Sequence, residues 1–308
     1  MYPNKGALTK GVNEETVQGM SLEKIDLIIE RLREQTFQWQ PARRVKIPKK
    51  NSKKKRPLGL PTWSDKLVQE VIRVILEAYY EQIFSDLSHG FRPNRGCHTA
   101  LEEVKRWKGT VWFIEGDIKG CFDNISHDVL LSILAENVRD LRLQKLIGKM
   151  LKAGYMENWI YHKTYSGTPQ GGVISPLLSN IVLNKLDQFV EREIIPKYTI
   201  GKKRQRNREY TKVANDIRKA KKEGNRELVK ELTKQLRQLP SVDPFDSNYC
   251  RVRYVRYADD FLLGIIGSKQ VAIEIKYKIG EFLRQELKLE MSEKKTLITH
   301  AFLPKLDF

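Results

Sequence analysis

Two strand-like runs, Val252 to Tyr257 and Asp260 to Ile266, flank the tetrapeptide Tyr257-Ala258-Asp259-Asp260. The natural reading is a hairpin whose tip carries two adjacent carboxylates. A second strand, Val111 to Asp117, is rich in β-branched and aromatic residues and also ends on an acid. If these strands are neighbours, Asp117, Asp259 and Asp260 meet at one edge of a sheet. Clustered hard oxygen donors are what a magnesium ion needs, and a pair of such ions can activate a hydroxyl and stabilise a phosphate leaving group. An isolated strand-end Asp is usually a cap, and an isolated Asp-Asp pair is usually solvated, so the inference depends on what surrounds them.

The surroundings are basic. The chain has 308 residues with 56 Lys and Arg against 38 Asp and Glu, a formal charge of +18, and is 40% hydrophobic. It is long enough to bury a core, and its field attracts polyanions, nucleic acid first among them. No run of about 18 apolar residues suits a membrane span. The absence of an apolar segment at the N-terminus predicts a cytoplasmic location of bacterial type. Cys97, Cys121 and Cys250 are too few and too far apart for a disulfide framework or zinc cluster and are expected to be buried thiols. The histidines lack metal-ligand spacing, and Ser126-His127-Asp128 is no hydrolytic triad, because consecutive residues cannot converge; Ser126 reads as a helix cap.

Helical spacing of Ile25, Ile28, Ile29 and Leu32 predicts a helix capped by Ser21, and Leu67, Val71, Val74, Ile75 and Tyr79 are expected to form the core face of a helix within Asp65 to Phe84. Between them, Arg43 to Arg56 carries nine basic residues and no acid, with Asn51-Ser52 as its turn, so a basic hairpin or loop is expected. Leu177, Ile181, Leu186 and Val190 mark another helix, with a break expected at Pro196. From Lys197 to Arg237 basic residues dominate and large apolar ones are sparse, which predicts an exposed helical insertion.

Three blocks together resemble those of reverse transcriptases: Asp117-Ile118-Lys119-Gly120-Cys121-Phe122-Asp123-Asn124-Ile125, the stretch Gly167-Thr168-Pro169-Gln170-Gly171-Gly172-Val173-Ile174-Ser175-Pro176, and the Tyr-Ala-Asp-Asp hairpin. Outside them, Arg56-Pro57-Leu58-Gly59-Leu60-Pro61-Thr62, Ser88-His89-Gly90-Phe91-Arg92-Pro93-Asn94-Arg95-Gly96 and the partial block Asn13 to Met20 resemble group II intron-encoded reverse transcriptases and maturases. The resemblance runs from roughly residue 5 to Thr299. It implies an α+β fold, the fingers and palm of a right-hand polymerase with an antiparallel palm sheet; the family continues into a helical thumb, which is expected to be absent from this chain. Fingers and an N-terminal extension are expected over 1–110, and the palm over 111–308, with further fingers elements and the basic insertion at about 196–248.

The same resemblance implies roles. Asp117 and Asp259 would be the principal ligands of two Mg²⁺ ions, with Asp260 as the third acid and the Ile118 backbone assisting. Phe122 corresponds to a steric gate that leaves no space for a ribose 2′-hydroxyl. Lys49, for which Lys50 is an alternative, and Arg56 would hold the triphosphate of a deoxynucleotide. Gln170 and Gly171 would contact the nucleotide or template, two glycines before a helix allowing close backbone approach. Lys295, or its neighbour Lys294, would act as general acid toward pyrophosphate. Expected partners are an RNA template with a DNA primer, deoxynucleoside triphosphates, and group II intron RNA held by Arg43, Arg44, Lys202, Lys203, Arg204 and Arg206. A homodimer is an assembly compatible with this reading. The competing function is an RNA-binding maturase without catalysis, and the intact acids argue against it. An RNA-templated RNA polymerase is disfavoured by Phe122 and the motif sequences. Phe302-Leu303-Pro304 starts like the family's primer-grip block and departs at Pro304.

Overall fold

The computed structural model describes residues 8–48, 55–168, 171–243 and 246–301. In chain order, helix α1 (Leu22–Arg33) precedes the hairpin β1 (Ala42–Pro48) and β2 (Lys55–Leu60), then α2 (Trp63–Tyr80) and α3 (Cys97–Lys105). Next come β3 (Trp112–Asp117), the short α4 (Cys121–Asn124), α5 (His127–Ala135), α6 (Leu141–Leu151) and the small hairpin β4 (Tyr155–Glu157) and β5 (Ile160–His162). The remainder is α7 (Ser175–Phe189), α8 (Ile195–Tyr198), α9 (Arg208–Lys222), α10 (Arg226–Gln238), β6 (Arg251–Tyr257), β7 (Asp260–Ile266), α11 (Lys269–Gln285) and β8 (Leu297–His300). Helix starts follow capping chemistry: Ser21, Thr62, Ser126, Asp140 and Ser268 each accept a first-turn backbone N–H.

Two four-stranded sheets result. The order β2-β1-β4-β5 places the basic hairpin beside the β4–β5 hairpin, with β1 and β4 parallel. The order β6-β7-β3-β8 is antiparallel throughout. Period-two alternation decides which face of this second sheet goes where. Ile114, Val252, Tyr254, Leu263 and Ile265 enter the main core, which includes α7 and α11 residues such as Leu178, Leu183, Ile275 and Ile279. Phe113, Val255 and Leu262 point the other way, onto Ala100 and Trp107 beneath α3.

The structure corrects three sequence expectations. In α2 the core takes Val68, Ile72, Leu76 and Tyr80, while Val71, Val74, Ile75 and Tyr79 stay exposed. The helix carries two adjacent apolar stripes, and periodicity alone cannot rank them; tertiary packing against α7 chose the other one. Part of the outer stripe, with Ile25, Ile29 and Leu146, lines a cleft of about 610 Å³. Pro196 does not break its helix: a π turn at Val190–Ile194 widens the ladder just ahead of it, and helix continues to Tyr198. Cys121 and Cys250 are buried, but Cys97, the first residue of α3, is exposed.

The insertion is a helical hairpin of α9 and α10 on a pinched stem. Ile200 and Cys250 exchange both backbone hydrogen bonds at 3.1 Å, and Asp243 N–H donates to the Gln205 carbonyl at 2.9 Å. α9 buries Ile217 and Ala220, whereas α10 buries nothing.

Asp65, at the start of α2, is only 2% exposed and accepts the Gln40 N–H at 3.2 Å. Burial pushes its carboxyl from 3.8 up to about 7. Between about pH 4 and 7 the folded chain therefore keeps a proton that the unfolded chain releases, and stability falls as pH rises through that window. Asp65→Asn is expected to stabilise the protein above pH 7 by on the order of 3 kcal/mol, with the difference closing toward pH 4. Urea unfolding of both proteins at pH 5 and pH 8 measures it; an equal difference at both values overturns the assignment.

Candidate active site

β3 and β7 pair in a register that sets Asp117 directly opposite Asp260. β6 and β7 join through a two-residue turn, Ala258-Asp259, in which Ala258 takes φ +56°. The three acids are therefore brought to one sheet edge by strand pairing. The Asp117 carbonyl accepts the Ser292 N–H at 2.8 Å, and the Ile118 N–H donates to the Asp259 carbonyl at 3.4 Å, so the backbone on both sides of the acids is tied down. Partial desolvation, then the charges of Asp259 and Asp117, raise the Asp260 carboxyl above its usual range. Lys295 Nζ lies 2.6 Å from Asp117 Oδ1, and that hydrogen bond raises the ammonium above its ordinary value. Carboxylate oxygens are the donor type that divalent cations take; among the described residues no three acidic side chains close into a ready-made metal cage, and the Lys295 ammonium sits on Asp117 instead.

Asp117 and Asp259 line a cleft of about 500 Å³. Lys55 and Arg56 of β2 line the same cleft, as do Phe122, Phe91 and Gly171. Phe122 sits on α4, one turn after Asp117, behind Gly120 in a left-handed conformation (φ +54°). Gly171 has φ +102°, and a Cβ there would come within 2.5 Å of the Gly59 carbonyl, so the glycine lets this loop close against β2. The Gln69 side chain of α2 accepts the Val173 N–H at 2.9 Å and holds the same loop from behind.

Of the residues expected at the site, Asp117, Ile118, Phe122, Gly171, Asp259, Arg56 and Lys295 all line the cleft, and Asp260 is paired beside Asp117. Lys49 and Gln170 lie outside the described residues. The expected RNA contacts are elsewhere, on the first sheet and on the insertion stem. Arg43 donates to the Lys10 carbonyl at 2.8 Å, and Arg44 stacks 3.4 Å over the Tyr155 ring, so both guanidinium groups are engaged within the chain. Arg204 lies over Tyr249 and is half-buried, whereas Lys202, Lys203 and Arg206 are exposed.

Sequence reasoning missed the scaffold behind the turn. Arg256 and Asp187 are both fully buried. Arg256 donates to both Asp187 carboxylate oxygens at 2.8 and 2.6 Å, to Asn180 Oδ1 at 3.0 Å, to Ser88 Oγ at 2.8 Å and to the Ala258 carbonyl at 2.7 Å. Asn180 in turn donates to the Gly90 carbonyl at 2.8 Å, and a Cβ on Gly90 would lie 2.3 Å from Ala258 N. One signal was available: Val252, Tyr254 and Arg256 alternate onto one strand face, and an arginine on an otherwise apolar face requires a buried acid.

The profile of the family described as "Reverse transcriptase (RNA-dependent DNA polymerase)" matches residues 47–220, more than half of the chain. The chain belongs to the reverse transcriptase family. Members of this family use divalent metal ions, in keeping with the acids described above. The chain is 48% identical over 316 residues to the group II intron-encoded protein LtrA of Lactococcus lactis subsp. cremoris, a match covering 99% of this chain and 52% of LtrA. It is 41% identical over 298 residues to the putative COX1/OXI3 intron 1 protein of Saccharomyces cerevisiae, covering 96% of this chain and 35% of that protein. The chain thus spans about half the length, or less, of these relatives. Among solved structures, telomerase from Candida albicans superposes with a TM-score of 0.54 at 12% identity, over 93% of this chain and 47% of that one. That similarity extends the reverse transcriptase fold to the whole α+β arrangement. No helix among the described residues is long and apolar enough to cross a membrane.

Proposed function

We propose that this chain is the fingers and palm of a group II intron reverse transcriptase, adding deoxynucleotides to a primer 3′-end on an RNA template, and that it also binds intron RNA as a splicing maturase. The observation that carries the reading is the meeting of Asp117, Asp259 and Asp260 at one edge of the antiparallel sheet, with Asp117 and Asp259 lining the same cleft as Lys55 and Arg56. The two proposed bodies are the fingers, built on the β2-β1-β4-β5 sheet, and the palm, built on β6-β7-β3-β8.

The acids would hold two Mg²⁺ ions, which when bound supply charge neutralisation at the attacking hydroxyl and the leaving pyrophosphate. The chain's own groups do the rest. Arg56 offers a planar fork to triphosphate oxygens and Lys55 a point charge. Phe122 presents its ring where a 2′-hydroxyl would project and excludes the ribonucleotide by volume. Lys295 carries its proton beside Asp117, within reach of the same cleft, and serves as the acid for the departing pyrophosphate. Primer extension on an RNA template with Mg²⁺ tests the polymerase reading; a protein that binds intron RNA and extends no primer leaves only the binding function.

The maturase role rests on the insertion, whose exposed Lys202, Lys203 and Arg206 stand on the pinched stem of a basic hairpin remote from the cleft. Replacing Lys202, Lys203, Arg204 and Arg206 with Gln is expected to weaken intron RNA binding and to flatten the slope of log affinity against log salt by up to about 4, while extension on a generic primer and template persists. Filter binding at several salt concentrations measures this. An unchanged slope removes the stem from the RNA-binding surface.

A further inference from the structure

Phe91 is a large apolar side chain left 55% exposed at the wall of the catalytic cleft. Its backbone is in the left-handed region, φ +56°, a conformation that an aromatic residue adopts only when its surroundings impose it. The surroundings do impose it. On one side the Ser88 hydroxyl accepts from Arg256, the His89 N–H donates to the Arg256 carbonyl at 2.9 Å, and the Gly90 carbonyl accepts from Asn180. On the other side Arg92, itself buried, donates to Glu81 and to the Ser88 carbonyl at 2.8 Å. The residue between these anchors is held from both sides, and its ring meets Phe122 edge to face, with centroids 6.1 Å apart and planes at 78°.

Phe122 needs such a neighbour. It lies on a four-residue helix and is only partly buried, so a short helix and partial packing leave a neighbouring ring as a natural restraint on its rotamer. Edge-to-face contact is the favourable geometry for two aromatic rings and resists rotation of either.

We propose that Phe91 is a positioning residue for sugar selection: its strained backbone and clamped flanks hold the ring that keeps Phe122 in place against the 2′ position of an incoming nucleotide. The inference rests on the polymerase reading of the cleft. It explains an arrangement that is otherwise unfavourable twice over, a solvated phenyl ring on a strained residue.

The test uses the full chain with an RNA template and a dideoxy-terminated primer, so that nucleotide binding is measured without chemistry. Dissociation constants for dCTP and CTP opposite a templating G, with Mg²⁺ present, are compared for the parent, Phe91→Ala, Phe91→Gly and Phe91→Tyr. The expected result is a parent that favours dCTP, a preference reduced at least threefold in the Ala and Gly variants and retained in the Tyr variant, which keeps the ring. Phe91→Gly relieves the positive φ while losing the ring contact and adding unfolded-state entropy, so it is expected to melt close to the parent temperature. Loss of selectivity without loss of Tm separates this role from ordinary core packing. If the parent discriminates and Phe91→Ala discriminates equally, the inference falls while the polymerase reading stands. If the parent binds dCTP without preference, or not at all, the reading of the cleft falls and takes this inference with it.

Discussion

Asp259→Asn is expected to abolish primer extension, lowering the rate about a thousandfold or more, while affinity for RNA changes little. Asp259 sits in the two-residue turn between β6 and β7, beside Asp117 and Asp260, and an amide in its place removes one negative oxygen from a site built to collect them. Losing several kcal/mol of stabilisation at the reacting phosphate costs a factor of ten for each 1.36 kcal/mol. RNA affinity is carried by a surface with formal charge +18, and a change of one unit barely alters it. Single-turnover extension on an RNA template, read beside a binding titration of the same variant, is the measurement. Extension near the parent rate removes Asp259 from the catalytic set.

Arg256→Leu is expected to destabilise the fold by about 3–5 kcal/mol, because it strands the buried carboxylate of Asp187. Asp187→Leu is expected to cost a similar amount by stranding the guanidinium and the Tyr254 hydroxyl, which donates to Asp187 at 2.7 Å. The double variant Arg256→Leu with Asp187→Leu is expected to recover much of that loss, since removing both members of a buried pair leaves neither charge unpaired. Its catalysis is not expected to recover, because the Ala258 carbonyl still lacks its 2.7 Å donor and the turn that presents Asp259 is no longer held. Chemical denaturation and extension rate, measured on all three, separate the two effects. A double variant as active as the parent shows that Arg256 supports only the core.

The elements that carry chemistry were legible because local rules dictate them. β-branched and aromatic content ending on an acid marks β3, two strand-like runs flanking an Asp-Asp tip mark the β6–β7 hairpin, and the caps at Ser21 and Ser126 follow from side-chain oxygens placed before apolar runs. The resemblance to group II intron proteins then assigned roles to Asp117, Phe122 and Lys295, which the fold brings into one cleft with Asp259 and Arg56.

What escaped sequence reading depends on choices between locally equivalent options. The two apolar stripes of α2 satisfy the same periodicity, and only the packing partner decides which one is buried. Arg256 looks like any strand arginine until Asp187, 69 residues earlier, is folded beneath it. Phe91 is only one residue of the Ser88 to Gly96 block until the fold shows its positive φ and exposed ring between anchored neighbours. The sequence by itself determined which residues carry the donor types that metal and phosphate take, since those are properties of carboxylate, guanidinium and ammonium groups in a given local element. Only the tertiary structure decided how they are held, because positioning comes from contacts between residues distant in the chain, whose pairing energies no local pattern contains.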